Sequence, residues 1–148
     1  MKTAIYGAGS LGTVLGAYLS KAGVDVDLIT RNKEHVDAMN KGGAKIVGTV
    51  NMTVPVHALT PDQMTEKYEL IILLTKQLDN ENILRNLEKN MTDDCIVCTL
   101  QNGLPELSVS KVVGEDRTMG CTVAWGATLH GKGVSELTSE PDSMSFGL

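Results

Sequence analysis

KTAIYGAGSLGTVLGAYLSKAG, residues 2–23, joins an apolar run to a helical pattern through glycines at 7, 9 and 12. Glycine-rich turns are common, so the GxGxxG spacing alone decides little. Here it follows a run that reads as a strand and opens one that reads as a helix, which is the context a pyrophosphate site needs. Gly7 would permit the tight turn, Gly9 the approach of a ligand to the backbone, and Gly12 close packing of helix on strand. Unpaired N–H groups and the positive end of the helix dipole would face the phosphates. The expected ligand loop is therefore Gly7, Ala8, Gly9, Ser10, Leu11 and Gly12. Gly16 and Ala17 extend the small face. The alternative phosphate loop, GxxxxGK[ST], is absent, because Thr13 and Val14 follow Gly12.

Outward from this stretch the pattern alternates. A helix over 10–22 places Leu11, Leu15, Tyr18 and Leu19 on one face and ends at Gly23. DVDLIT (25–30) is a second strand, and NKEHVDAMNKGG a helix capped by Asn32. The β-branched stretch 44–59 holds one or two short strands. Thr60, Pro61 and Gln63 read as a helix start with a capping box. YELIILLT (68–75) is a buried strand, 79–90 a helix begun at Asp79, CIVCTL (95–100) a strand, 105–113 a helix, and TMGCTVAW (118–125) a strand. The tail suggests two more short strands about Pro141 and Asp142. Such alternation implies an α/β fold, a Rossmann-type doubly wound, mostly parallel sheet with helices on both faces. Ligands of such sheets bind at the carboxyl ends of the strands.

The composition sets bounds. With 148 residues the chain makes one domain, and residues 1–148 are expected to be a dinucleotide-binding unit. A net charge of −5 argues against a nucleic-acid partner. The longest core-like apolar run, LIILLT at 70–75, has strand length, so no membrane association is expected, and no secretory leader is visible. The expected location is cytoplasmic. Cys95 and Cys98 form a CxxC, but three residues apart on a strand they point to opposite faces, so neither a metal nor a redox pair is expected.

The second strand runs into Thr30 and Arg31, where NAD sites usually carry an acid for the ribose 2′-hydroxyl. Thr30 does not repel a 2′-phosphate and Arg31 can pair with one, which favours NADP. Against this, Arg31 and Lys33 could be solvated charges, although a cation at a helix start opposes the dipole. Lys76 follows the buried strand, and Gln101 and Asn102 follow the next, so both loops should open on the glycine-loop edge. A lysine there suits a carboxylate or the cofactor's phosphates, and an amide can bridge a ribose and a substrate oxygen.

Taken together, GAGSLG with Gly16, Arg31, TKQ around Lys76, QNG at 101–103 and GA at 126–127 resemble the N-terminal domain of the ketopantoate reductase (2-dehydropantoate 2-reductase) family, over essentially the whole chain. The resemblance implies that residues 7–12 hold the pyrophosphate and Arg31 the 2′-phosphate of NADPH. It places Lys76, Asn102 and Ala127 along the nicotinamide half, with Lys76 and Asn102 also near substrate. The implied reaction is NADPH-dependent reduction of the ketone of 2-dehydropantoate, a small 2-keto acid, on the route to pantothenate and coenzyme A.

Members of that family are about twice as long, with a helical second domain that supplies the lysine proton donor and most substrate contacts. No residue here is a good replacement for that donor. His35, His57 and His130 read as surface or structural. The expectation is a cofactor-binding half, inactive alone and without catalytic residues, whose exposed apolar docking face could support a homodimer. Two alternatives stand beside it: reduction of another 2-keto acid, and a stand-alone NADP-binding or sensing module.

Overall fold

The computed structural model describes residues 1–76, 79–140 and 146–147. In chain order they form β1 (Thr3–Tyr6), α1 (Ser10–Lys21), β2 (Val26–Ile29), α2 (Lys33–Gly42), β3 (Ala44–Gly48), β4 (Met52–Val54) and β5 (His57–Leu59). There follow a 3₁₀ turn (Pro61–Gln63), β6 (Tyr68–Leu73), α3 (Asn80–Leu87), β7 (Met91–Thr99), α4 (Glu106–Val113) and β8 (Thr118–Gly120). The chain closes with β9 (Thr122–Val123), β10 (Ala127–Gly131), β11 (Val134–Leu137) and β12 (Phe146–Gly147).

Among the described residues the main sheet has six strands in the order β5-β2-β1-β6-β7-β8. Every pairing in it is parallel. The side-chain period of two splits its residues between two cores. Ile5, Leu28, Ile72 and Cys98 face one, packed with Val14, Ala17, Val36 and Met39 of α1 and α2. Ala4, Tyr6, Ile71, Leu73 and Val97 face the other, with Leu84 and Leu87 of α3 and Val109 and Val113 of α4. The crossover helices thus lie on opposite faces. The chain after β1 turns one way and the chain after β6 the other, so a crevice opens between the ends of these neighbouring strands. The expected doubly wound α/β fold is present.

A second sheet, ordered β10-β11-β3-β4, was not foreseen. The stretch read as one or two strands forms three, divided between the sheets: β3 and β4 pair antiparallel in the second, while β5 pairs with β2 in the first. Buried residues of this second sheet, Ala44, Ile46, Val54 and Leu137, share the core with α1. The helix therefore lies between two sheets. This explains why Gly12 to Ala17 are buried without a break. At Gly16 an added Cβ would lie 2.5 Å from Leu28, so helix and strand approach as the small face predicted.

Other differences are local. The capping box closes only a 3₁₀ turn, with Gln63 Oε1 accepting from Thr60 N–H at 3.0 Å. The Asp79 helix stops at Leu87 and tightens into 3₁₀ over Glu88–Asn90. The strand expected at 95–100 begins earlier, at Met91, and the one expected at 118–125 divides into β8 and β9. Pro141 and Asp142 lie outside the described residues. No helix among the described residues is long and apolar enough to cross a membrane.

Candidate functional site

Gly7 leaves β1 with φ +104°, and a Cβ there would lie 2.7 Å from the backbone nitrogen of Thr75. Only glycine lets the end of β1 lie this close to the end of β6. At Gly12 a Cβ would meet the Gly7 carbonyl at 2.8 Å. Gly9 differs, because a Cβ there would meet nothing within 4 Å. The backbone at Gly9 is thus open to approach by a ligand. Gly9 gives α1 no side-chain cap and the first turn carries no acid. The leading N–H groups of α1 have no partner within the helix and favour an anion.

Gly7, Thr30, Arg31, Thr75 and Lys76 line one cleft of about 360 Å³, whose apolar wall includes Ile29 and Ile83. Arg31 also borders an adjoining hollow with Lys33, Thr60, Pro61, Asp62 and Gln63. The structure thus brings together three predicted elements: the glycine loop, Arg31 and Lys76. Arg31 and Lys76 are exposed, and among the described residues neither has an ion-pair partner. Asp27, the nearest acid on β2, is buried in the strand and turned elsewhere. It accepts from Tyr68 Oη at 2.6 Å and lies 2.7 Å from His57 Nδ1 and 3.3 Å from Lys2 Nζ.

Asn102 is exposed on the loop after β7, before Gly103 at φ +89°. Its neighbour Gln101 ties that loop to the Lys76 loop. Gln101 Nε2 donates to the Thr75 carbonyl, and the amides of Gln101 and Asn80 bond reciprocally at 2.8 and 2.9 Å. The holding role of Gln101 escaped the sequence reading, since nothing local marks an amide as a clasp. Gln77, the last residue of TKQ, lies outside the described residues. Ser10 and Leu11 begin α1, with Leu11 packed against the core, and Ala8 is fully buried. Ala127 starts β10 in the second sheet, half-buried against the same core, and does not line the cleft.

The three histidines have separate surroundings. His35 is completely buried, with Nε2 2.9 Å from Thr13 Oγ1 and Nδ1 accepting from Gly133 N–H at 2.8 Å. His57 pairs with Asp27, and His130 lies 3.7 Å from Glu136. Cys95 and Cys98 do face opposite cores, but Cys98 Sγ lies 3.2 Å from Cys121 Sγ. Nothing local to either cysteine marks that contact.

Residues 3–148 match the family model described as ketopantoate reductase PanE/ApbA. The chain belongs to the ketopantoate reductase family. A 2-dehydropantoate 2-reductase of Pyrococcus horikoshii is 37% identical over 137 residues, covering 92% of this chain and 44% of that protein. That of Streptococcus pyogenes serotype M1 is 31% identical over 135 residues, covering 90% and 44%. Among solved structures, a D-mandelate dehydrogenase with NADH and anilino(oxo)acetate superposes with TM-score 0.84 at 28% identity, covering 94% of this chain and 46% of that one. The 2-dehydropantoate 2-reductase of Geobacter metallireducens shares the fold, with TM-score 0.84 at 24% identity. The chain therefore spans somewhat under half the length of these ketopantoate reductase relatives.

Proposed function

We propose that this chain is the NADPH-binding part of a reductase that converts 2-dehydropantoate to pantoate. The observation that carries the reading is the cleft in which Gly7, Arg31 and Lys76 converge. In it, residues 7–12 hold the pyrophosphate against the start of α1, and Arg31 pairs with the 2′-phosphate. Bound NADPH supplies the hydride. Thr30, directly after β2, stands where a carboxylate would repel a 2′-phosphate, and Arg31 and Lys33 border the adjoining hollow together with Asp62.

Lys76 and Asn102 supply a mobile cation and an amide toward the nicotinamide half and the substrate carboxylate. The Gln101 clasp to Thr75 holds their two loops in register. Reduction of a ketone also needs a general acid for the forming alkoxide. In this reading it comes from the part of the family's length that this chain does not span, together with most substrate contacts. The 148 residues alone should bind NADPH and show little turnover.

The likeness to a D-mandelate dehydrogenase bound to NADH supports a second reading, in which the whole enzyme reduces another 2-keto acid and prefers NADH. Fluorescence titrations with NADPH and NADH, repeated on Arg31→Ala, separate the two. At least about tenfold tighter NADPH binding, erased by the substitution, supports the NADP assignment. Equal binding of both nucleotides overturns it.

A further inference from the structure

We infer that His35 is a positioning residue for dinucleotide binding: through Thr13 it fixes the peptide between Gly9 and Ser10 so that the Ser10 N–H faces the pyrophosphate. This rests on the binding reading above and deepens it. His35 lies on α2, outside the glycine loop, and no part of it is exposed.

Its proton can be placed. The Gly133 N–H can only donate, and it donates to Nδ1, so Nδ1 carries the lone pair and Nε2 the hydrogen. Nε2–H then donates to Thr13 Oγ1 at 2.9 Å. The hydroxyl, having accepted one hydrogen, directs its own to the Gly9 carbonyl. Burial lowers the imidazole pKa, against an opposing contribution from the Ala8 carbonyl, and so keeps the neutral ring this chain of bonds requires. Three hydrogen bonds thus run in one direction, from Gly133 through His35 and Thr13 to Gly9, each polarising the next.

The end of that chain is what separates His35 from an ordinary satisfied core histidine. The Gly9 carbonyl also accepts from the Thr13 N–H at 3.0 Å, so two donors hold it inward. In a trans peptide the carbonyl and the following N–H point in opposite directions. An inward Gly9 carbonyl therefore turns the Ser10 N–H outward, away from the body of α1, beside a residue whose own side chain position is open. A second brace holds the next peptide, as the buried Ser135 hydroxyl donates to the Ser10 carbonyl at 2.8 Å.

The test compares two ligands on the 148-residue chain: NADPH, and adenosine 2′-monophosphate, which carries the 2′-phosphate but no pyrophosphate. In His35→Asn the amide can replace Nδ1 but does not reach Thr13. In His35→Gln it reaches Thr13 in place of Nε2. His35→Asn should weaken NADPH about tenfold, the worth of one hydrogen bond to a charged group, and leave the monophosphate within about twofold. His35→Gln should restore most of the NADPH affinity. Thr13→Val, which keeps the shape and removes the hydroxyl, should reproduce the His35→Asn result and decides the matter if the histidine variants do not fold. Unchanged NADPH binding in His35→Asn and Thr13→Val overturns the role of His35, as does an equal loss for both ligands or a loss that Gln does not recover. A parent chain that binds neither ligand overturns the binding reading first, and this inference with it.

Discussion

The side-chain amides of Gln101 and Asn80 face each other, each donating to the other, and Gln101 donates also to the Thr75 carbonyl next to Lys76. Thr99 Oγ1 adds a donor to Gln101 Oε1 at 3.0 Å, and Asn80 Nδ2 also reaches Ser108 Oγ at 3.0 Å. The network joins the loop after β6 to α3, the end of β7 and α4. Gln101→Leu keeps the bulk but leaves the buried Asn80 amide short of partners, at a cost of about 1–3 kcal/mol. Thermal unfolding should register that loss. NADPH titration of the same variant should show weaker binding, because the Lys76 loop loses its anchor.

Asp27 gives the fold a pH dependence. Burial alone would raise its pKa, but hydrogen bonds from Tyr68 and His57 and the nearby Lys2 ammonium outweigh it, so the group lies below the usual carboxylate value. A depressed folded pKa contributes stability that is present above the unfolded value, near 4, and is lost as pH falls through the folded one. Chemical denaturation between pH 7 and 3 should therefore show a loss of stability below about pH 4. Asp27→Asn should flatten that limb and lower stability at pH 7 by about 1–2 kcal/mol, since the bonds from Tyr68 and His57 lose their charged acceptor while Lys2 keeps Asp25 at 2.9 Å.

The glycines of the loop should separate folding from binding. Gly12→Ala forces a methyl to within 2.8 Å of the Gly7 carbonyl and should cost about 1–3 kcal/mol in denaturant unfolding. Gly9→Ala meets no atom within 4 Å, so its denaturant unfolding should change little. It should nevertheless weaken NADPH at least about tenfold, by filling the ligand's approach.

The cysteines should differ in reactivity. Burial pushes the Cys95 thiol up to about 11. Burial, and then the adjacent Cys121 sulfur, push Cys98 up as well. Both should resist iodoacetamide at pH 8 in the folded chain and react once it is denatured, because the thiolate is the nucleophile. Peptide mapping after timed labelling reads this directly, and fast labelling of Cys98 in the native state would contradict it.

Which features were legible in the sequence follows from how far each cause reaches along the chain. The turn at Gly7, the Asn32 cap and the small face of α1 depend on neighbours a few positions away, and all three were readable. The cap is met by Asn32 Oδ1 accepting from the His35 N–H at 3.1 Å. Alternation marked 44–59 as extended but could not say which sheet each strand joins, because β3 finds its parallel partner in β11, far along the chain. The Thr13–His35 contact and the Cys98–Cys121 contact are likewise made by elements distant in sequence, and neither residue type announces its partner. Arg31 and Lys76 could be placed at one edge because parallel strands put their ends there, while Ala127, on the second sheet, lay beyond that rule.

The brace from Ser135 to Ser10 joins residues 125 apart. In chain order the strand behind α1 follows the glycine loop by that same interval, with β2 to β10 in between. Until β11 pairs with β3, the Ser10 carbonyl lacks its donor from Ser135. Closing so long a loop is slow compared with forming the helix itself. The start of α1 is thus shaped by two contacts of very different reach, the glycine turn beside it in sequence and a strand far along the chain.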